Sequence, residues 1–358
     1  MPVTWVKPKL VCEVKFAEWT ESGTMRQPIF VGLREDKEPT EVVKESPKSA
    51  EKIQKKDGRS EELSLTNLDK IYFPEDGITK GDVIEYYDKM SEYILPHLKD
   101  RPESLNRHPN GIDKPNFFQK NFEGKLPSFV ETYVRKREGR DKRDVRYIVC
   151  QNKETLLYMA NLGCIEINPW NSRTISPEGS DFLIIDLDPS GRPWSDLIKV
   201  AKAVHKVLDK ACEKNYIKTS GKRGFHIVVP LGGRYKHEDV KNLARLLSGY
   251  VHRELPHITS LERDPKKRKD KIYLDYLQNN FAQTLAAPYS LRPRAGAPVS
   301  TPLLWDEVKE SLDPLKFNIH TIFRRLEKLG DIWKSVLTEK IDLQKSIKCI
   351  ERELEGKV

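Results

Sequence analysis

The chain of 358 residues has no apolar run approaching the roughly 18 residues that a membrane-spanning helix needs. Its first residues also lack the apolar stretch of a secretion signal, so the expectation is a protein that stays in the cytoplasm. Cysteine is scarce: Cys12, Cys150, Cys164, Cys212 and Cys349 are odd in number and show no CxxC spacing. That pattern argues against a disulfide framework and a zinc site and leaves buried or incidental thiols. Acidic residues are in deficit, 54 Asp and Glu against 63 Lys and Arg, for a formal net charge of +9. With 33% charged and 9% aromatic residues, the chain has material for a core, and its length allows about two domains.

A basic excess points to an anionic partner, although lysine alone can serve solubility. Its distribution is more telling. Arg135-Lys136-Arg137 with the run from Arg140 to Arg146, and Lys266-Lys267-Arg268-Lys269, are local concentrations, and neither lies on an amphipathic apolar helix. Nucleic acid fits this better than a membrane surface.

The chemistry starts at Asp186-Leu187-Asp188, which closes the apolar run Phe182-Leu183-Ile184-Ile185 and is stopped by Pro189. Residues two apart on a strand share a face, so both carboxylates project together, and a hard divalent cation such as Mg²⁺ or Mn²⁺ makes such a pair tolerable. By itself the pair also reads as an ordinary solvated turn. Further on, Tyr216-Ile217-Lys218-Thr219, Ser220-Gly221-Lys222-Arg223-Gly224 and Phe225-His226-Ile227-Val228-Val229-Pro230 read as strand, turn, strand. Gly221 and Gly224 free the backbone to approach a ligand, and Ser220, Arg223 and His226 suit a triphosphate. A plain hairpin with a solvated basic tip fits the turn equally well. Finally, Lys271 to Leu277 is a strand pattern holding one acid, Asp275, which is costly there unless paired or bound to metal.

Asp-Leu-Asp, Ser-Gly-x-Arg-Gly-x-His and an apolar-Asp-Tyr strand, in that order, resemble the archaeo-eukaryotic primase superfamily, specifically the polymerase domain of the bacterial end-joining protein ligase D. The resemblance runs from about Leu65 to about Leu315 and takes in Phe117-Phe118-Gln119-Lys120, Gly163-Cys164-Ile165-Glu166-Ile167, Pro169-Trp170 and Leu291-Arg292-Pro293-Arg294-x-Gly296-x-Pro298-Val299-Ser300. It implies a mixed α/β primase-polymerase fold with a largely antiparallel catalytic sheet flanked by helices. It implies a template-directed nucleotidyltransferase in DNA end joining, nucleoid-associated, with Asp186, Asp188 and Asp275 holding two divalent cations, Mn²⁺ or Mg²⁺. The partners implied are a gapped or broken duplex with a 5′-phosphate, rNTPs or dNTPs, Ku and a ligase module.

The same resemblance gives roles to further residues. Ser220, Arg223, His226, Arg268 and Arg292 match positions that contact the incoming triphosphate, with Arg223 where a lysine is common. Lys70 and Lys80 resemble the two basic residues that seat the 5′-phosphate, close enough for one turn to bring both ammonium groups together. Phe117 or Phe118 matches an aromatic that stacks on a template base, and one of the two is expected to pack inward. Asn168 stands where relatives place a histidine near the ribose, so ribonucleotide preference is expected to survive in weaker form.

Residues 1–37 resemble the end of the oligonucleotide-binding domain of ATP-dependent DNA ligases: Leu10 to Phe16 alternates like a strand, and Gly23 precedes Arg26-x-Pro28-x-Phe30-x-Gly32-Leu33-Arg34-x-Asp36-Lys37. So short a piece is too small for its own core. Residues 38–64 are poor in apolar side chains, as a disordered linker is, and within them Lys55-Lys56-Asp57-Gly58 mimics the ligase Lys-x-Asp-Gly motif without the strands a nucleophilic lysine needs. Residues 65–315 form the expected polymerase domain, with helices at Thr79 to Leu98, about Ser195 to Asn215 and about Glu238 to Leu255. Residues 316–358 read as a helical tail without chemistry. The competing functions are a non-catalytic DNA end-bridging module and part of a split ATP-dependent DNA ligase.

Overall fold

A computed structural model describes residues 63–136, 143–212 and 214–355, together with residues 7, 9–15, 23–25, 28–33 and 42. Residues 43–62 of the linker, with the Lys55 to Gly58 mimic, and residues 137–142 of the basic run lie outside the described residues. The chain divides into two units, Met1–Arg59 and Ser60–Val358. In the first, β1 (Cys12–Lys15) pairs antiparallel with β2 (Ile29–Leu33).

The second unit begins with the hairpin β3 (Ile71–Phe73) and β4 (Ile78–Thr79), then α1 (Lys80–Leu98), β5 (Glu103–Arg107), β6 (Phe117–Gln119), β7 (Glu131–Arg135), β8 (Val145–Val149), α2 (Lys153–Asn161) and β9 (Cys164–Pro169). It continues with β10 (Gly179–Asp188), α3 (Trp194–Cys212), β11 (Tyr216–Thr219), β12 (Phe225–Lys236), α4 (His237–Glu254), β13 (Thr259–Ser260), β14 (Ile272–Asp275), β15 (Pro302–Leu303), α5 (Ile322–Leu329) and α6 (Leu343–Glu355). Six strands form the main sheet in the order β13-β14-β10-β12-β11-β15, antiparallel except for the β13–β14 pair. This is the mixed α/β fold with a largely antiparallel sheet that the sequence implies.

Helix α1 starts where it does because the Thr79 hydroxyl accepts the backbone N–H of Asp82 while Asp82 accepts that of Thr79, a reciprocal cap. Its stripe of Val83, Tyr87, Met90 and Ile94 is fully buried. In the main sheet the two-residue period sorts side chains by face. Leu183, Ile185 and Leu187 of β10, Ile217 of β11, Phe225, Ile227 and Val229 of β12, and Ile272 and Leu274 of β14 all enter one apolar cluster with Leu197, Val200, Val204 and Leu208 of α3. The intervening residues therefore project from the opposite face, and they include Asp186, Asp188, Lys218, His226 and Asp275.

Two elements depart from the sequence reading. Strand β12 does not stop at Pro230 but runs to Lys236, because its pairing with β10 shifts between Ser180 and Phe182 and the extra residues are taken up where Gly232 and Gly233 adopt positive φ. Nor is the segment after residue 315 a free tail. Ile319, Ile322 and Leu326 join the core around α1, Trp333 and Val336 pack on Ile184 and Val228, and Leu343 joins the core under α3.

Candidate active site

Antiparallel pairing sets Asp186 directly opposite Asp275, and Asp188 opposite Tyr273. Like charges opposed across a ladder destabilise it. Burial first, then the Asp275 and Asp188 carboxylates, push Asp186 up from the ordinary 3.8 to about 7. Asp275 is also raised, chiefly by burial, although its Oδ1 accepts from the Leu277 N–H at 2.9 Å and the Tyr273 hydroxyl at 3.2 Å. Asp188 turns elsewhere: its Oδ2 lies 3.0 Å from Arg268 Nη1 and its Oδ1 accepts from Ser190 N at 3.2 Å. Consequently, among the described residues no three His, Cys, Asp or Glu side chains are gathered as a ready metal cage. The donor chemistry nevertheless fits a hard cation: three carboxylates lie at adjoining strand ends, and two of them resist ionisation in its absence.

The hairpin of β11 and β12 supplies the cationic side. Lys218 is buried, and its Nζ lies 2.6 Å from His226 Nδ1, 2.8 Å from the Ala286 carbonyl and 2.6 Å from Ser300 Oγ. The other ring nitrogen of His226, Nε2, stands 3.7 Å from Asp186 Oδ1. Burial, then Lys218 and Arg292, hold the imidazole well below its usual pKa, so it is neutral. Ser220 Oγ accepts the backbone N–H groups of Lys222 and Gly224 and so braces its own turn. Neighbouring protein atoms also require the two glycines: a Cβ at Gly221 would collide with the Arg292 side chain, and one at Gly224 with the Leu187 carbonyl. Arg223 sits exposed at the tip. Arg292 is buried with its Nε 3.1 Å from Glu166 Oε2, an ion pair without hydrogen-bond alignment.

Asn168 is buried on β9, with Nδ2 3.4 Å from the carbonyl oxygens of Ser104 and Glu166. Phe117 and Phe118 are 46% and 56% exposed, so neither packs inward as expected. They lie on the edge strand β6 of the sheet β6-β5-β9, and the Arg107 guanidinium covers the Phe117 ring at 5.1 Å. Lys80 is buried, donates to the Thr66 carbonyl at 2.6 Å, and is lowered to about 8 by burial and then by Lys70 and Arg107. Lys70 in turn donates to Asn110 Oδ1. Three cations are therefore crowded together, one of them over the exposed Phe117 ring.

Lys218, Glu166 and Arg107 were absent from the site as read from sequence. The first two carry the signal that singled out Asp275, a charged residue inside an apolar strand pattern, Tyr-Ile-Lys-Thr and Cys-Ile-Glu-Ile. Arg107 carries no such signal, because only the β5–β6 pairing places it beside Phe117.

Residues 79–333 match the family described as LigD, primase-polymerase domain, and residues 1–37 match the ATP dependent DNA ligase C terminal region. Similar curated proteins include the multifunctional non-homologous end joining protein LigD of Pseudomonas aeruginosa, 31% identical over 343 residues, covering 92% of this chain and 40% of that protein. The bifunctional non-homologous end joining protein LigD of Bacillus subtilis is 32% identical over 328 residues, covering 91% of this chain and 51% of that protein. The chain thus spans about half the length of these relatives or less. Among solved structures, the polymerase domain from Mycobacterium tuberculosis Ligase D in complex with DNA superposes with a TM-score of 0.71 at 26% identity, covering 78% of this chain and 99% of that one.

Proposed function

Since the chain belongs to the LigD primase-polymerase family, a family of the nucleotidyltransferase type, we propose that it adds nucleotides to primer 3′ ends at gaps and breaks during end joining. The observation that carries this reading is the opposition of Asp186 and Asp275 across two strands, with Asp188 at the next outward position and a cationic hairpin alongside. Asp186, Asp188 and Asp275 would hold two divalent cations, Mg²⁺ or Mn²⁺. Bound there, the cations would supply charge neutralisation for the attacking and leaving oxygens of an in-line displacement. The chain's own part is positioning. Ser220 keeps the turn closed, Arg223, Arg268 and Arg292 present fixed guanidinium groups to the triphosphate, and neutral His226 stands at the carboxylate edge with Lys218 fixing its ring. Lys70, Lys80 and Arg107 would seat a 5′-phosphate, which answers the crowding that depresses Lys80, while Phe117 and Phe118 would stack on template bases. Asn168 would meet the ribose and leave a weakened preference for rNTPs. Gapped duplex, nucleotides, Ku and a ligase module are the proposed partners.

Primer extension on a gapped duplex, with rNTPs and dNTPs supplied in turn with Mg²⁺ or Mn²⁺, tests this directly. Extension should require a divalent cation, and Asp186→Ala, Asp188→Ala and Asp275→Ala should each abolish it, the loss of several kcal/mol of transition-state stabilisation. Near-normal extension by any of the three would refute the assignment. DNA retention without any extension would favour an end-bridging module.

A further inference from the structure

Beside the proposed site lies an open pocket of about 320 Å³, of whose lining only Arg223 has been given a role above. It is walled by the loop that leaves Asp188 (Pro189, Arg192), by Trp194 at the start of α3, and by the hairpin tip (Lys222, Arg223). Arg294, Pro314 and Leu315 complete it. On the same measure a single water needs roughly 10–15 Å³, so the space suits a small molecule.

Its donors are unmet. Trp194 Nε1 and Arg192 Nε are buried with no hydrogen-bond partner. Arg223 makes no hydrogen bond or ion pair among the described residues, and Arg294 only a long contact of 3.4 Å to the Lys222 carbonyl. The one carboxylate in the wall, Asp313, already caps its own turn by accepting from Leu315 N at 3.0 Å. The charge of Arg192 is answered by Asp196 at 2.5 Å and Lys222 Nζ stands 3.9 Å from Glu166 Oε2, which leaves Arg223 and Arg294 facing the space. Burial, then Arg292, lower the Lys222 pKa, with Glu166 acting against them. Two guanidinium groups and two buried N–H groups bordering one open pocket suit a compact polyanion. Pro189, Leu197, Pro314 and Leu315 give the pocket an apolar wall.

We propose that this cavity is an exit subsite for inorganic pyrophosphate, an inference that rests on the polymerase reading. As the primer 3′ oxygen bonds to the α-phosphorus, the bond from that phosphorus to the bridging oxygen breaks and pyrophosphate carries off the electron pair. The loop after Asp188 leads from the reacting centre to the cavity, so the leaving anion finds its next set of donors within a few residues.

The test is calorimetric titration of the full chain with inorganic pyrophosphate, free of nucleotide and divalent cation, with ATP titrated in parallel. Trp194→Phe keeps an aromatic ring against Phe225 and removes the donor, and Arg294→Gln alters an exposed side chain, so both are conservative for the fold. Each should weaken pyrophosphate about tenfold, the effect of one lost hydrogen bond to a charged group, and leave ATP within about twofold. Pyrophosphate affinity unchanged in both variants would overturn the proposal. Equal losses for ATP and pyrophosphate would do so too, assigning the cavity to the nucleotide's own phosphates. Because binding is read without turnover, a chain that fails to extend primers yet binds pyrophosphate through Trp194 would sink the polymerase reading alone.

Discussion

Replacing Asp186 by Asn should stabilise the metal-free protein while abolishing its activity. In the folded chain Asp186 is raised from 3.8 to about 7, chiefly by burial and then by the carboxylates of Asp275 and Asp188. A group raised in this way is protonated in both states below about pH 3.8 and imposes no penalty there. As pH rises, the unfolded chain ionises first, so folding stability falls until about pH 7 and stays low above it. A gap of about three pH units at 1.36 kcal/mol each gives a penalty of about 4 kcal/mol. The Asp186 side chain keeps 21% of its surface exposed, and the screening this allows reduces the expected figure to about 2–4 kcal/mol. Asn cannot ionise and escapes the penalty. Urea unfolding in chelator should therefore show Asp186→Asn more stable than the parent by that amount at pH 8 and by roughly a third of it at pH 5. Excess Mg²⁺ or Mn²⁺ should raise the parent and not the variant, since a ligand that binds only the folded state stabilises it by mass action, about 2.7 kcal/mol at a hundred times its dissociation constant. A variant no more stable than the parent at pH 8, or a gain that does not shrink toward pH 5, would refute the reasoning.

Four further outcomes are expected. Lys218→Met should lower stability by about 2–4 kcal/mol in urea titration, because His226 Nδ1, the Ala286 carbonyl and Ser300 Oγ all lose one buried donor; a loss below 1 kcal/mol would show that the ammonium is not what holds them. Phe117→Ala with Phe118→Ala should leave the unfolding midpoint nearly unchanged, since both rings are exposed, yet weaken binding to gapped DNA by about 1–3 kcal/mol per stacked base, and unaltered DNA affinity would remove them from the interface. Lys70→Ala with Lys80→Ala should erase the preference for a 5′-phosphorylated gap and reduce the salt slope of binding by about one per lost contact, so a preference retained at the parent level would place the pocket elsewhere. Truncation after residue 316 should prevent folding, because Ile319, Ile322, Leu326, Trp333, Val336 and Leu343 are buried and at about 1.5–3 kcal/mol each outweigh the net stability of an ordinary domain; a cooperative unfolding transition in the truncated chain would contradict this.

The sequence by itself determined the separate strands of the main sheet, not their order. Strands at 182–188, 216–219, 225–230 and 272–275 follow from local apolar runs and turn residues, and the helices from stripes such as Val83, Tyr87, Met90 and Ile94 or Leu197, Val200, Val204 and Leu208, because these patterns are properties of neighbouring residues. Asp186, Asp188 and Asp275 were legible for the same reason: an acid in an apolar run is anomalous wherever it occurs. What the sequence could not state is which strands adjoin. Pairing of β10 with β14 brings residues 186 and 275 face to face, and pairing of β5 with β6 sets Arg107 over Phe117, through contacts that no local pattern encodes. Tertiary packing also decided the roles of residues whose types were plain. Gly221 and Gly224 yield to neighbouring protein atoms, Arg268 turns to Asp188, and Phe117 and Phe118 stay exposed because β6 is an edge. The segment after residue 315 shows the difference most clearly: its helical period was visible, but only the folded chain reveals that its apolar residues complete cores formed by segments 100 to 250 residues earlier, since burial depends on what lies opposite in space.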